Sequence, residues 1–181
     1  PLLVERKIEY DHIPELLYYQ PLQATAEKID VVVKGRKIGY ITGAGDKVPQ
    51  ALEQLGYEVQ LLNEKNITAD NLKQFDAVIT GIRAYNVHDW LTGKYDVLMQ
   101  YVNKGGNLVV QYNTNNFIST VSSKIGPYPF AISRTRVTDE TVAVNFALPG
   151  HPVLNTPNKI TEKDFEGWVQ ERSIYHAEKP D

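Results

Sequence analysis

Amides, aromatics and one arginine gather directly after three apolar runs. Lys37-Ile38-Gly39-Tyr40-Ile41 is followed by Gly43, Gly45 and Asp46. Phe75 to Thr80 is followed by Arg83, Tyr85, Asn86 and His88, and Leu108-Val109-Val110 by Gln111, Tyr112, Asn113, Asn115 and Asn116. Such groups recognise sugars and small polar molecules through hydrogen bonds and ring stacking. The residues expected to touch a ligand are Asp46, Arg83, Tyr85, Asn86, Gln111, Asn113 and Asn115, together with Glu171 and Arg172 from the C-terminal part. The same residue types also cap helices, satisfy loop backbones or mediate a domain contact.

Other chemistries find less footing. The chain has no cysteine, which removes thiolate nucleophiles, disulfides and sulfur metal ligands. No Gly-x-Ser-x-Gly elbow is present. His12, His88, His151 and His176 lack paired ligand spacing, and no metal or cofactor is expected. Gly43-Ala44-Gly45 has two glycines of a dinucleotide fingerprint, but Val48 stands at the third position and Asp46 would oppose the phosphates. Glu64 is suitably spaced for a ribose contact. Asp139-Glu140 and Glu171-Arg172 read as catalytic carboxylates, a substrate clamp or plain ion pairs. Trp168, in Asp164 to Arg172, has neighbours polar enough for a groove.

Alternating apolar runs and helical patterns must position these groups. Strands are expected at Lys37–Ile41, Tyr57–Leu62, Phe75–Thr80 and Leu108–Val110. Helices are expected from Asp46, as N-cap with Pro49 in the first turn, to about Gly56, from Thr68 to Gln74 and from Trp90 to Asn103. This alternation implies an α/β fold: a doubly wound, mostly parallel sheet with helices on both faces, of the flavodoxin-like type. Ligands on such sheets bind beyond the carboxyl ends of the strands, where the strand order reverses. Residues 113–129 form a polar loop, and Val137 to Phe146 and Trp168 to Tyr175 suggest added antiparallel strands. His151 is read as a turn residue, and Thr161 to Glu166 as a short capped helix. Residues 1–35 read as a linker or wrapping arm with at most one strand, near Lys28 to Val33, and 36–181 as the α/β domain.

At 181 residues, 42% apolar and 23% charged, the chain suits one globular domain with extensions. A net charge of -3 without a basic run gives no footprint for nucleic acid or an anionic membrane. No apolar stretch approaches the ~20 residues of a membrane span. The opening at Pro1 reads as the interior of a longer polypeptide, and the compartment stays open.

Seven phrases together resemble the carboxyl-terminal region of large bacterial LmbE/PIG-L-type deacetylases. They are Tyr10-Asp11-His12-Ile13-Pro14, Ile38 to Asp46, Gly81-Ile82-Arg83-Ala84-Tyr85-Asn86, Val110 to Asn115, Gly126 to Phe130, Arg136 to Glu140 and Asp164 to Arg172. The resemblance implies a class I glutamine amidotransferase-like domain behind a zinc-dependent N-acetyl-sugar deacetylase domain. The His-Pro-Asp-Asp-Glu type zinc motif of the latter is absent from these residues. Where amidotransferases of this class carry their thiol, this sequence has Tyr112-Asn113. At fold level the chain also resembles the trehalose-utilisation branch of amidotransferase-like proteins, which likewise lacks the cysteine.

Three expectations follow. The first is a non-catalytic accessory domain that binds a carbohydrate-like ligand or docks the deacetylase domain of the same chain. The second is an unassigned hydrolase using Glu171, Asp139 or His88 around Arg83. The third is a structural or dimerisation domain.

Overall fold

The structure, a computed structural model, describes residues 2–23, 30–115, 121, 124–128, 130–167 and 173–178. It divides into two compact units, Pro1–Val31 and Val32–Asp181.

The first unit is an antiparallel hairpin of β1 (Leu3–Tyr10) and β2 (Ile13–Pro21), turning at Asp11 and His12 with a register shift between Ile8 and Tyr10. Two strands thus stand where at most one was expected. The alternation of Val4, Arg6 and Ile8 on β1 with Leu16, Tyr18 and Gln20 on β2 is mixed rather than strictly apolar, so no clean period-2 signal marks them. Residues 30–33, the described part of the run expected to form a strand, are not in one.

The second unit is built on a parallel sheet of β3 (Lys37–Ile41), β4 (Glu58–Leu61), β5 (Ala77–Thr80) and β6 (Asn107–Val110), in the order β4-β3-β5-β6. All four were expected from the sequence. From β3 the chain steps outward to β4, returns past β3 to β5, and continues to β6. The order therefore reverses between β3 and β5.

Helices α1 (Val48–Gln54) and α2 (Ala69–Leu72) follow β3 and β4, and α4 (Tyr95–Asn103) follows a short α3 (Ala84–Val87) and a 3-10 stretch at Asp89–Lys94. The helix expected over Trp90–Asn103 is thus 3-10 in its first part and α-helical only from Tyr95. Thr68 caps α2 as expected, its Oγ1 accepting from Asn71 N–H at 3.3 Å. The N-cap of α1 is Lys47, not Asp46, although an Asp46 carboxylate oxygen accepts from Val48 N–H at 3.0 Å.

Strand pleating sorts the core. Ile41 on β3, Val78 and Thr80 on β5, and Leu108 and Val110 on β6 lie on one face of the sheet, as the registers dictate. This face packs against Leu72, Leu91, Leu98 and Tyr101 from the helical segments. Position 39 lies on this face too, and only glycine fits there, since a Cβ would lie 2.6 Å from a Leu62 methyl and 3.2 Å from the Phe75 ring. The opposite face carries Ile38, Tyr40, Ile79 and Val109.

Toward the C-terminus the added strands are antiparallel but very short. β7 (Ala131–Ile132) pairs with β10 (Ala177–Glu178), and β8 (Arg136–Val137) with β9 (Ser173–Ile174). The strand expected over Val137–Phe146 ends at Val137. There Asp139 turns the chain, its carboxylate accepting from Thr141 N–H at 2.9 Å. Of the run expected over Trp168–Tyr175, residues 168–172 lie outside the described residues. A 3-10 turn occupies Glu162–Phe165 behind the Thr161 cap, and α5 (Pro152–Asn155) begins after His151. His151 is thus an N-cap, its Nδ1 accepting from Val153 N–H at 3.2 Å.

Candidate functional site

The carboxyl ends of β3 and β5 meet at the reversal of strand order, and the chain itself fills the crevice between them. Gly81 N–H donates to Ile41 O, and Ala44 N–H to Ile82 O, both at 2.7 Å. A Cβ on Gly43 would stand 1.9 Å from Ile82 O. The glycine at 43 is therefore explained by loop against loop. The Ala44 N–H, which in a dinucleotide site would face a phosphate, already has an acceptor. Gly45, at φ +105 with open space around it, meets a conformational need.

Beneath this crossing lies a buried polar chain. The fully buried Tyr40 hydroxyl donates to an Asp46 carboxylate oxygen at 2.7 Å and accepts from Gln111 Nε2 at 3.0 Å. The register explains the meeting, since Tyr40, Ile79 and Val109 share a face and Gln111 continues it. Burial, reinforced by the Asp46 carboxylate, holds the Tyr40 phenol well above its usual range. It is thus a lasting donor to Asp46. In the sequence Tyr40 stands inside an apolar run; the signal that marks it is that a tyrosine within a buried strand must find a partner for its hydroxyl.

Arg83 closes the turn out of β5 in a left-handed conformation, φ 59 and ψ 26. Its N–H donates to Tyr112 O at 2.8 Å, tying this turn to the end of β6. Its Nε is sheltered from solvent and has no hydrogen-bond partner.

The remaining amides serve the backbone. Asn113 accepts from Tyr85 N–H at 3.1 Å and donates to Gln111 O at 3.0 Å, so one buried amide supports both α3 and the turn after β6. Asn86 donates to Thr114 O and accepts from Thr114 N–H, both at 2.9 Å. Asn115 donates to Ile132 O at 2.7 Å, pinning the loop to β7. Tyr85 is buried, which pushes its phenol up to about 12. His88 sets its Nε2 2.8 Å from Thr42 O and its ring 5.2 Å from that of Trp90.

Of the residues expected to bind ligand, Asp46 and Gln111 thus meet through Tyr40, while Asn86 and Asn113 meet through adjacent residues of α3 and the loop after β6. Arg83 lies on the same edge and Asn115 turns toward β7. Glu171 and Arg172, like Trp168, lie outside the described residues. Among the described residues no group of three or more His, Asp or Glu could hold a metal ion, and no helix is long and apolar enough to cross a membrane.

A cavity of about 120 Å³ opens beside the end of β6, walled by Tyr112, Asn113, Phe130, Ile132 and Tyr175. It is mainly apolar and smaller than the ~300 Å³ at which small-molecule sites usually begin. The chain matches no family model, no curated protein and no solved structure.

Proposed function

We propose that this chain is a non-catalytic, amidotransferase-like accessory domain of an LmbE/PIG-L-type deacetylase, and that its task is to dock the catalytic domain of the same polypeptide. The observation that carries this reading is the use of the edge amides: Asn86, Asn113 and Asn115 are all engaged by the chain's own backbone. A carbohydrate site would need such groups unpaired and convergent on a cleft. The ligand-binding form of the reading is correspondingly weakened.

Docking finds support on the sheet face opposite the main core. Leu61, paired in register with Tyr40, is 58% exposed, and Val109, paired with Ile79, is 49% exposed. Helix α1 buries none of its residues fully. Two aliphatic side chains left open on the outer strands of a sheet fit a protein surface better than a sugar. The strand order supports the doubly wound, flavodoxin-like arrangement. Right-handed crossovers would set α1 on the face opposite α2 and α4. The turn after β6 carries Tyr112, a phenol that cannot replace a thiolate in forming a glutamyl thioester at neutral pH.

The test is calorimetric titration of the parent's deacetylase domain, supplied in trans, into this chain, beside a glycan array. Binding of the domain that falls about tenfold or more in Leu61→Asp/Val109→Asp, with an empty array, is the expected result. No affinity for the domain, or glutamine hydrolysis by the purified chain, overturns it.

A further inference from the structure

We propose that the cleft between the turn before α5 and the 3-10 turn at Glu162–Phe165 binds a small amphipathic anion, an apolar body bearing one acidic group. The cleft has a volume of about 610 Å³ and is floored by Phe146, Pro149, Leu154 and Ile160. Small-molecule sites usually span ~300–1,000 Å³ with mostly apolar walls and a few placed polar groups. This cleft has both properties.

Its walls are fixed by internal hydrogen bonds. The Asn155 amide donates to Pro149 O at 2.8 Å and His151 O at 3.0 Å, and Ile160 N–H donates to Leu154 O at 2.8 Å. Thr161 N–H donates to an Asp164 carboxylate oxygen at 2.6 Å, which sets the opposite wall. Asn158 clamps Val32 from both sides, donating to its carbonyl at 2.9 Å and accepting from its N–H at 2.8 Å. A ligand would meet a preformed cleft and carry little ordering cost.

Those bonds occupy the Asn155 amide N–H groups and the backbone N–H groups of Ile160 and Thr161, which leaves the charged side chains as the main donors to a ligand. Lys159 and Lys163 line the cleft with Glu162, and among the described residues no hydrogen bond or ion pair involves the three side chains. Two cations against one anion favour a negatively charged ligand, and the apolar floor asks for a hydrocarbon or aromatic body. The cleft is independent of the docking reading, sharing no residue with Leu61 or Val109.

The decisive measurement compares two dyes on the intact chain. Anilinonaphthalene sulfonate has an aromatic body with one acidic group, and N-phenylnaphthylamine has nearly the same body without it. The sulfonate should bind saturably at one site, at least about tenfold tighter than the neutral dye, a difference of ~1.4 kcal/mol. Lys159→Gln/Lys163→Gln should abolish that preference while leaving neutral-dye binding within about twofold. Ile160→Glu should weaken both dyes, and Lys47→Glu/Lys104→Glu, neither of which lines the cleft, should weaken neither. Thermal melts establish that each variant is folded, and raised salt, which screens the lysines without substitution, gives the same comparison on the natural sequence. Equal affinity for the two dyes, no saturable binding, or equal losses in the Lys47/Lys104 variant would each overturn the proposal.

Discussion

Arg83 shows what a single backbone angle can demand of a sequence. A non-glycine residue in the left-handed region costs roughly 1–2 kcal/mol relative to its helical alternative, and glycine escapes that cost at some expense in unfolded-state entropy. At φ 59, Arg83 stands in that region at the turn between β5 and α3. Arg83→Gly should therefore be about 1 kcal/mol more stable than Arg83→Ala in urea unfolding. Equal midpoints for the two variants would show that the turn relaxes when the guanidinium is removed. Asp76 makes a second residue-scale case at the opposite edge of the sheet. One of its carboxylate oxygens accepts from Arg36 N–H at 2.7 Å and Lys37 N–H at 2.8 Å, which fixes the entry into β3. These two donors, Lys37 first, hold its carboxyl below the usual aspartate range. Because the folded value is depressed, the stabilisation is complete above the unfolded value of ~3.9 and disappears as pH falls through the folded one. Asp76→Ala should accordingly unfold at lower urea than the parent at pH 7, and the gap should close on acidification below pH ~4. A gap independent of pH would assign the loss to packing instead of charge.

At the scale of elements, the turns decide whether the carboxyl edge is a site or a seam. Gly43 and Gly81 let two loops touch through their backbones, and the bond from Ala44 N–H to Ile82 O closes the point where such sheets usually receive a ligand. Gly43→Ala would drive a methyl into a carbonyl oxygen that cannot move without breaking that bond. A loss of roughly 3 kcal/mol or more is expected in chemical denaturation, against ~1 kcal/mol for an ordinary substitution. A loss near 1 kcal/mol would mean that the loops separate easily, and the crevice would again be open to a ligand. The parallel sheet was legible in the sequence because its strands, apolar runs in β3, β5 and β6 and an alternating run in β4, each end at a glycine or a polar turn, a signal carried within a few residues. Asn86, Asn113 and Asn115 were equally visible as a cluster. Their partners were not, since Thr114 lies 28 residues from Asn86 and Ile132 lies 17 from Asn115. A side-chain amide reads the same in a sequence whether it faces a ligand or a distant carbonyl. α3 was missed for a related reason: four residues carry no helical period, and the helix leans on the Asn113 side chain for its Tyr85 N–H. The charged cleft escaped notice because Phe146, Leu154 and Ile160 follow neither helical nor strand spacing.

For the molecule as a whole, the division at Val31 and Val32 separates elements of very different thermodynamic standing. Strands β3 and β5 are central in the parallel sheet, and Ile38, Tyr40, Ile41 and Val78 are buried. Opening them requires losing the core, so their amides should exchange only through global unfolding, which in ordinary domains costs ~5–15 kcal/mol. The β1–β2 hairpin forms a sheet of two strands, with Leu3, Tyr10, Leu16, Leu17 and Tyr19 exposed. A pair of this kind is marginal in water, because each strand contributes one row of hydrogen bonds and little buried apolar surface. Its ion pairs, Lys7 with Glu9 at 2.9 Å and with Glu15 at 3.0 Å, are exposed and contribute little under salt. Hydrogen exchange on the intact chain should therefore show hairpin amides exchanging at least about a hundredfold faster than those of Ile38–Ile41 and Val78–Thr80, a gap of ~2.7 kcal/mol or more. On the docking proposal, adding the proposed partner, a deacetylase domain, distinguishes two roles for the hairpin. If β1 or β2 extends a sheet of that domain, its amides gain protection together with those around Leu61 and Val109. If the hairpin makes no contact with that domain, its exchange stays fast while the sheet face becomes protected. Hairpin exchange as slow as that of β3 in the chain alone would contradict the division into unequal units, because two solvated strands supply too little buried surface to hold their own hydrogen bonds that tightly.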